Sequence, residues 1–332
     1  MRTAEIDAPA PEEPPRRRRR RWVTVLLALP VLPLAGVAGM RLVGVDGNRY
    51  TVAALALTPY LAAFGALLTL IALVARRRLV MVLALAATVS LGAVLVPRSL
   101  GDGEPTGDGQ RLRVMTANLL RGSADPVALL ALARDSRVDV LALQELTPDA
   151  VAALDAAGLR TLFPHRVFRD EPGGSGSGIA ATVPLRQIVL MEESTLEQVT
   201  AVADLSGAAD VEITSVHVFP GVVSSTAMTT WRRELAALPA PDPGGRPRVL
   251  AGDFNATLDH AAFTRLIDRG YWDAAELAGE GLRPTWSQYP FGPPVTIDHV
   301  LVDRRIHATS LAVYEVPGSD HHAVVTELAL PR

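Results

Sequence analysis

The chain has 332 residues and no cysteine, which excludes disulfides, thiolate zinc sites and a cysteine nucleophile. Thirty-two basic residues meet 35 acidic ones for a net charge of −3, and every basic residue is arginine, a bias read as genomic base composition. The mean hydropathy of +0.24 is high for a soluble protein, and the excess lies in about the first hundred residues.

Residues 1–21 form a leader containing Pro and Glu that ends in six arginines at positions 16–21. Three uncharged stretches follow, 22–40, 52–75 and 79–97, each meeting the roughly 18 to 20 residues needed to cross a bilayer as a helix. An arginine-rich start and an apolar core are also the signature of a cleaved signal peptide, and buried soluble helices are a second alternative. The two further spans and the uninterrupted length of all three favour a transmembrane anchor. Short cytoplasmic flanks retain positive charge, so the arginines at 16–21 and 76–78 belong inside and the loop 41–51 outside. Three crossings then describe a multi-pass plasma-membrane protein with a cytoplasmic N-terminus and everything after Pro97 outside. Residues 98–110, rich in Gly and acids, read as a flexible linker.

Residues 1–107 hold 13 of the 32 arginines and 7 of the 35 acids, so the remainder carries 19 basic and 28 acidic residues, a net charge of −9. A carboxylate-rich cation site accounts for part of that, whereas a domain that holds nucleic acid by neutralising phosphates normally shows a basic footprint.

From Arg111 onward, β-rich runs alternate with helical ones, as in an α/β domain. "RLRVMTANLL" is a strand that leaves Asn118 at its end, "DPVALLALARDS" is a helix, and "VDVLALQEL" is a buried strand that stops at Gln144 and Glu145. "GGSGSG" at 173–178 reads as a flexible loop before the strand "GIAATV", without the spacing of a P-loop. "DVEITSVHVFP" alternates and then presents His217. "RPRVLAGDFNA" delivers Asp253 and Asn255, which strand alternation would point to one side with Phe254 opposite. "RPTWSQY" at 283–289 fits either a substrate-facing loop or an ordinary packed one. "VTIDHVLVD" carries Asp298, and "PGSDHHAVVTEL" offers Asp320, His321 and a second imidazole, His322. Singly these have plain explanations as turn formers, solvated acids and structural histidines. Jointly, six strand ends bearing Asn, Asp, Glu or His favour a site, because ligands in α/β folds collect beyond strand ends.

The order Asn118, Gln144-Glu145, His217, Gly252-Asp253-Phe254-Asn255, Ile297-Asp298-His299 and Ser319-Asp320-His321 resembles the endonuclease/exonuclease/phosphatase superfamily, over about residues 111–330 of a domain taken as 111–332. The resemblance implies an α/β fold, a four-layer sandwich of two packed β-sheets flanked by helices, here preceded by three transmembrane helices. It further implies a metal-dependent phosphoesterase with Mg²⁺, or alternatively Mn²⁺, held by Asn118, Glu145 and Asp320. Oxygen donors without cysteine suit such a hard ion. In family terms His321 is the general base, Asp298 orients it, Asp253 positions or deprotonates the attacking water, and His217 and Asn255 donate hydrogen bonds to the phosphoryl oxygens. The family often has an aromatic residue where this chain has His299.

The expected partners are a phosphodiester substrate, DNA, RNA or a lipid head group, and the lipid bilayer; no protein partner is implied. The expected activity is an extracytoplasmic nuclease. The alternatives are a phospholipid or sphingomyelin phosphodiesterase or inositol-phosphate phosphatase, and a catalytically silent binding domain.

Overall fold

The computed structural model describes residues 16–101, 109–191, 194–206, 210–287 and 292–331. Its first elements are four helices: α1 (Arg16–Leu42), α2 (Arg49–Ala56), α3 (Thr58–Val74) and α4 (Arg78–Leu95). Two segments, Arg21–Leu42 and Arg78–Ser99, are long and apolar enough to cross a membrane. The stretch 52–75, expected as one span, is bent: α2 and α3 meet at 75°, so a third crossing exists only if this pair counts as one span. Pro59 is the cause. It has no N–H to offer the Leu55 carbonyl, and its ring would press on that group in a continuous helix. The Thr58 hydroxyl donates to Leu55 O instead, at 2.7 Å.

The domain that follows runs β1 (Arg111–Asn118), α5 (Pro126–Asp135), β2 (Val140–Gln144), α6 (Pro148–Ala156), α7 (Leu159–Leu162), β3 (His165–Arg169), β4 (Ser177–Ala181), β5 (Leu185–Ile188), β6 (Val199–Ala203) and β7 (Val211–His217). It continues with α8 (Ser225–Ala237), β8 (Arg248–Asp253), α9 (Ala261–Ile267), β9 (Tyr271–Asp273), α10 (Ala274–Leu277), β10 (Asp298–Asp303), β11 (His307–Glu315) and β12 (His322–Ala329). The strands form two six-stranded mixed sheets, ordered β11-β12-β1-β2-β4-β3 and β5-β6-β7-β8-β10-β9. Aliphatic side chains such as Val114, Ala142, Ile213 and Val249 fill the space between the sheets. Leu129, Leu154 and Phe163 cover one outer face, and Trp231, Leu235 and Phe263 the other. The four-layer sandwich is therefore present. β2 and β4 are buried along their whole length because both of their faces are covered, which explains their unbroken apolar and small-residue sequences.

One polar tie crosses the interior beneath the strand ends. Thr116 Oγ1 donates to Gln144 Oε1 at 3.1 Å, Gln144 Nε2 donates to Ser215 Oγ at 2.9 Å, and Ser177 Oγ donates to the same Ser215 oxygen at 2.8 Å. These residues lie on β1, β2, β7 and β4, so the network joins the two sheets. Gln144 is thus a fully buried structural residue, and only its neighbour Glu145 emerges at the strand end.

The N-terminal helices are docked on the domain. Val52 of α2 packs with Trp231, Phe254 and Phe263 in the domain's own outer core. Asp46 accepts from the Ala261 and Ala262 N–H groups at 2.6 and 2.9 Å, satisfying the open donors at the start of α9. His260 accepts from Thr257 N at Nδ1, so its proton sits on Nε2 and is donated to Val52 O at 2.9 Å. Arg41 and Arg98 converge on Asp259, Arg98 through two bonds of 2.9 and 3.0 Å. Arg98, expected in a flexible linker, lies in a 3₁₀ turn, Pro97–Ser99, and is buried; residues 102–108 of that linker lie outside the described residues.

Arg98→Ala is expected to destabilise the protein by about 3–5 kcal/mol, the scale for breaking a buried ion pair, read as a lower midpoint of thermal unfolding in detergent. Burial raises the Asp259 pKa, but Arg98 and Arg41 outweigh it and hold the carboxyl below its ordinary range. The stability contributed is therefore present above the ordinary carboxylate pKa and is lost as pH falls through the folded value. The gap between wild type and variant should shrink in acid; a gap constant across that range would contradict the assignment.

Candidate active site

Six strand termini meet at one end of the sandwich. Asn118 closes β1, Glu145 follows β2, His217 closes β7 and Asp253 closes β8, while Asp298 opens the antiparallel β10 and His321 immediately precedes the antiparallel β12. Register fixes the neighbours: Asn118 pairs with Gln144, and Asp253 with both His217 and Asp298. Glu145, His217, Asp253, Asn255, Asp320 and His321 line an open cleft of about 490 Å³, and Asn118 and Asp298 stand buried behind it.

At the centre is a carboxylate–imidazole pair. His321 Nδ1 lies 3.0 Å from Asp298 Oδ2, which also accepts the Thr285 hydroxyl at 2.7 Å. The Thr285 oxygen in turn accepts the Ile297 and Asp298 N–H groups, at 3.0 and 2.9 Å. The other imidazole nitrogen, Nε2, lies 3.8 Å from Asp253 Oδ2 and 3.9 Å from Asp320 Oδ1. Only one of the two consecutive histidines faces the cleft among its described lining residues. His321 lines the cleft, and His322 is absent from its described lining.

Electrostatics follow from burying Asp253 and Asp298 beside the half-buried Asp320. Burial lowers the His321 pKa, but Asp298, Asp253 and Asp320 outweigh it and push the imidazole up to about 10. Burial and then the Asp298 charge push Asp253 up to about 7. His217 goes the other way, down to about 3, through burial and the nearby His321 charge. It is therefore a neutral imidazole at physiological pH, and its Nδ1 is shielded and without a hydrogen-bond partner. Gln198 fixes its backbone by accepting the His217 N–H at 3.1 Å and donating to the His217 carbonyl.

The Gly-Asp-Phe-Asn segment works differently from a continued strand. β8 ends at Asp253, and Asn255 is left-handed at φ 47°. The two side chains still meet, because this turn swings Asn255 back so that its Nδ2 reaches Val218 O at 2.9 Å and Asp253 Oδ2 at 3.3 Å. Both amide hydrogens are thereby directed within the protein, where the sequence suggested a donor to phosphate. Gly252 is required sterically: a Cβ there would lie 1.9 Å from the Val216 carbonyl oxygen on the neighbouring strand.

The donor set fits a hard divalent cation. Asp320 takes one bond from Trp286 Nε1 at 3.1 Å on Oδ2, while its Oδ1 is buried without a hydrogen-bond partner. Glu145 Oε2 accepts Arg121 N at 2.8 Å, and Oε1 lies 3.3 Å from Asn118 Nδ2. Asn118 Nδ2 also donates to Asp253 at 3.1 Å, so a cation at these residues requires the amide to turn its oxygen toward Glu145. A second grouping, Asp253, Asp298 and His321, brings its ligand atoms within 4.8 Å. Within this trio Asp298 already pairs with His321 and accepts from Thr285.

Thr285 and Trp286 were not individually legible in the sequence. They lie in a loop whose residues 288–291 are outside the described ones, and nothing in "RPTW" distinguishes a hydroxyl that holds Asp298 from an ordinary loop threonine. "GGSGSG" is part of the cleft wall: a Cβ on Gly174 would press on Glu145 Oε2 at 2.9 Å. His299 proves structural, with Nδ1 bound to Asp273 at 2.7 Å, Nε2 to Ala256 O at 2.9 Å, and its ring against Phe254 and Phe263. Burial lowers its pKa, but Asp273 outweighs that and raises it above the ordinary imidazole value. His299→Ala should cost about 3–5 kcal/mol. A raised folded pKa stabilises fully below the ordinary imidazole pKa and is lost as pH rises through the folded value, so the difference in unfolding midpoint should narrow in alkali. An unchanged difference would show that His299 is neutral in the folded protein.

Two mixed sheets packed face to face, with acids and imidazoles gathered at one end, define the phosphoesterase fold class. The family model described as "Endonuclease/Exonuclease/phosphatase family" matches residues 115–321, and the chain belongs to this family. An endonuclease/exonuclease/phosphatase from Beutenbergia cavernae DSM 12333 superposes with a TM-score of 0.54 at 21% identity, covering 67% of this chain and 72% of that one. D. rerio TDP2 complexed with single strand DNA product gives 0.50 at 17%, covering 66% and 99%. SmcL gives 0.50 at 15%, again covering 66% and 99%. At these identities the likeness concerns the fold. No curated protein matches the chain.

Proposed function

We propose that the protein is a membrane-anchored, divalent-metal-dependent phosphodiesterase that acts outside the cytoplasm on nucleic acid. The observation that carries this reading is the His321–Asp298 pair facing a cleft that also presents Glu145, Asp320 and Asp253. Asn118, Glu145 and Asp320 would hold the ion, which would supply positive charge against that building on the phosphoryl oxygens and would oppose the carboxylates that raise the His321 pKa. His321 Nε2 takes a proton from the attacking water, and Asp298 accepts Nδ1–H and stabilises the imidazolium. Asp253, 3.8 Å from Nε2, holds that water on its line to phosphorus. The new P–O bond forms as the bond to the leaving oxygen breaks; the leaving oxygen takes its proton from solvent, and His321 later returns the one it took to solvent. Neutral His217 offers an N–H to a phosphoryl oxygen.

Topology is part of the proposal. The C-terminal end of α1 and the N-terminal end of α3 touch the domain through Arg41 and Tyr60, which places the arginines at 76–78 at the far end of the bundle. This supports arginines inside and catalysis outside.

A second reading, hydrolysis of lipid head groups, is favoured by one observation. Arg49 of α2 donates to the carbonyl of Val223 on the cleft rim, and Val222 and Val223 are exposed, so the cleft opens beside the helices that would enter the bilayer. Full-length protein in vesicles, supplied with Mg²⁺, should nick external plasmid DNA on the first reading and release head groups on the second. Neither product, or both produced equally by His321→Ala, would refute the hydrolase reading.

A further inference from the structure

Away from the cleft, α8 and α9 enclose a groove of about 400 Å³ lined by Arg232, Arg265 and Arg269 over a floor that includes Leu235 and Leu266. Among the described residues no carboxylate lines it, which reverses the sign of residues 108–332, whose net charge is −9. The groove is fastened to the loop that follows α1. Arg232 Nη2 donates to Gly47 O at 2.6 Å, and Arg265 Nη2 stands 3.8 Å from Asp46 Oδ2. Asp46 is only a few residues beyond Leu42, where α1 ends, so the chain between them spans at most about 14 Å. In that loop Leu42, Val43 and Val45 are 68%, 71% and 49% exposed. Exposed aliphatics beside a cluster of cations are the composition that settles at the boundary between acyl chains and head groups.

We propose that this groove binds the phosphate-bearing head groups of anionic lipids in the leaflet that the domain faces. The proposal rests on the membrane-anchored reading for its placement and is independent of the chemistry in the cleft. A guanidinium has five N–H donors in a fork that matches phosphate oxygens. Arg269 gives Nη1 to Ala236 O and Leu238 O, Arg232 gives one bond to Gly47, and Arg265 is 62% exposed, so donors remain for a ligand. An acidic domain held over an anionic surface is repelled by it. The arginine groove offsets that repulsion at one face and fixes which side of the domain lies against the lipid.

The test uses the full chain in neutral detergent with short-chain phosphatidylglycerol as probe, against phosphatidylcholine of equal chain length and inorganic phosphate, read by native mass spectrometry. Phosphatidylglycerol should be retained preferentially, and Arg265→Gln should weaken it about fivefold, the effect of one arginine near an anionic surface. Arg265→Glu should weaken it further, while turnover of a small soluble diester stays unchanged. Arg265 is exposed, so both variants are expected to fold, and unaltered unfolding midpoints check this. Equal retention of the two lipids, indifference to both substitutions, or phosphate binding as tight as phosphatidylglycerol overturns the proposal. Failure of the anchored reading shows separately, as release of the full chain from membranes by alkaline carbonate.

Discussion

Replacing His321 by alanine is expected to lower turnover by about 10²–10⁴-fold, the range for removing a general base, with little change in KM. The imidazole is held from behind by Asp298, and Asp298 by Thr285, so its orientation is set before substrate arrives. Asp298→Asn should approach the same loss, because a carboxamide can present its N–H to Nδ1 and move the imidazole proton to Nε2, where a base must be empty. Combining the two should add little, since both disable one proton transfer. Steady-state kinetics on one soluble diester across the three variants decides this. A double variant showing the product of the single losses would mean that the two residues act separately.

Glu145→Ala is expected to weaken Mn²⁺ binding by at least about tenfold and to remove most metal-dependent turnover, since a hard ion of this kind is held by only one or two carboxylates. Calorimetric titration of Mn²⁺ into the full chain measures the first effect without needing a substrate. Glu145 sits at φ 53°, a conformation that side chains of its kind rarely adopt, and Arg121 N and Gly174 close around its carboxylate. Such a position is maintained by its surroundings, which fits a residue kept for ligation. Undiminished affinity in the variant would move the ion to the Asp253, Asp298 and His321 grouping.

The strand ends were legible because a β-strand with two covered faces tolerates polar residues only where it leaves the sheet. Asn118, Glu145, His217 and Asp253 stood out against "VLAL" and "ITSV" for that reason. The bend at Leu57 was also written in the sequence, in Pro59, but an apolar count across 52–75 passes over a single proline. Other features depend on distant pairing and leave no local trace. Asp46 caps a helix 215 residues away, Arg98 meets Asp259 across 161, and Thr285 supports Asp298 from a loop. Alternation along a strand suggested the right neighbourhood for Asn255 for an incomplete reason, since the chain leaves the strand at Asp253 and returns the side chain through a left-handed turn.

The docking of α2 and the loop before it has a consequence for shedding. A protease that cut within residues 102–108 would sever the covalent tether, yet Val52 would remain packed beside Trp231, Asp46 would still cap α9, and Arg41 would still hold Asp259. The nicked protein should therefore stay on its N-terminal helices as a two-fragment complex. Retention of the domain by this protein depends on a folded interface, so its release would be controlled by unfolding as much as by proteolysis.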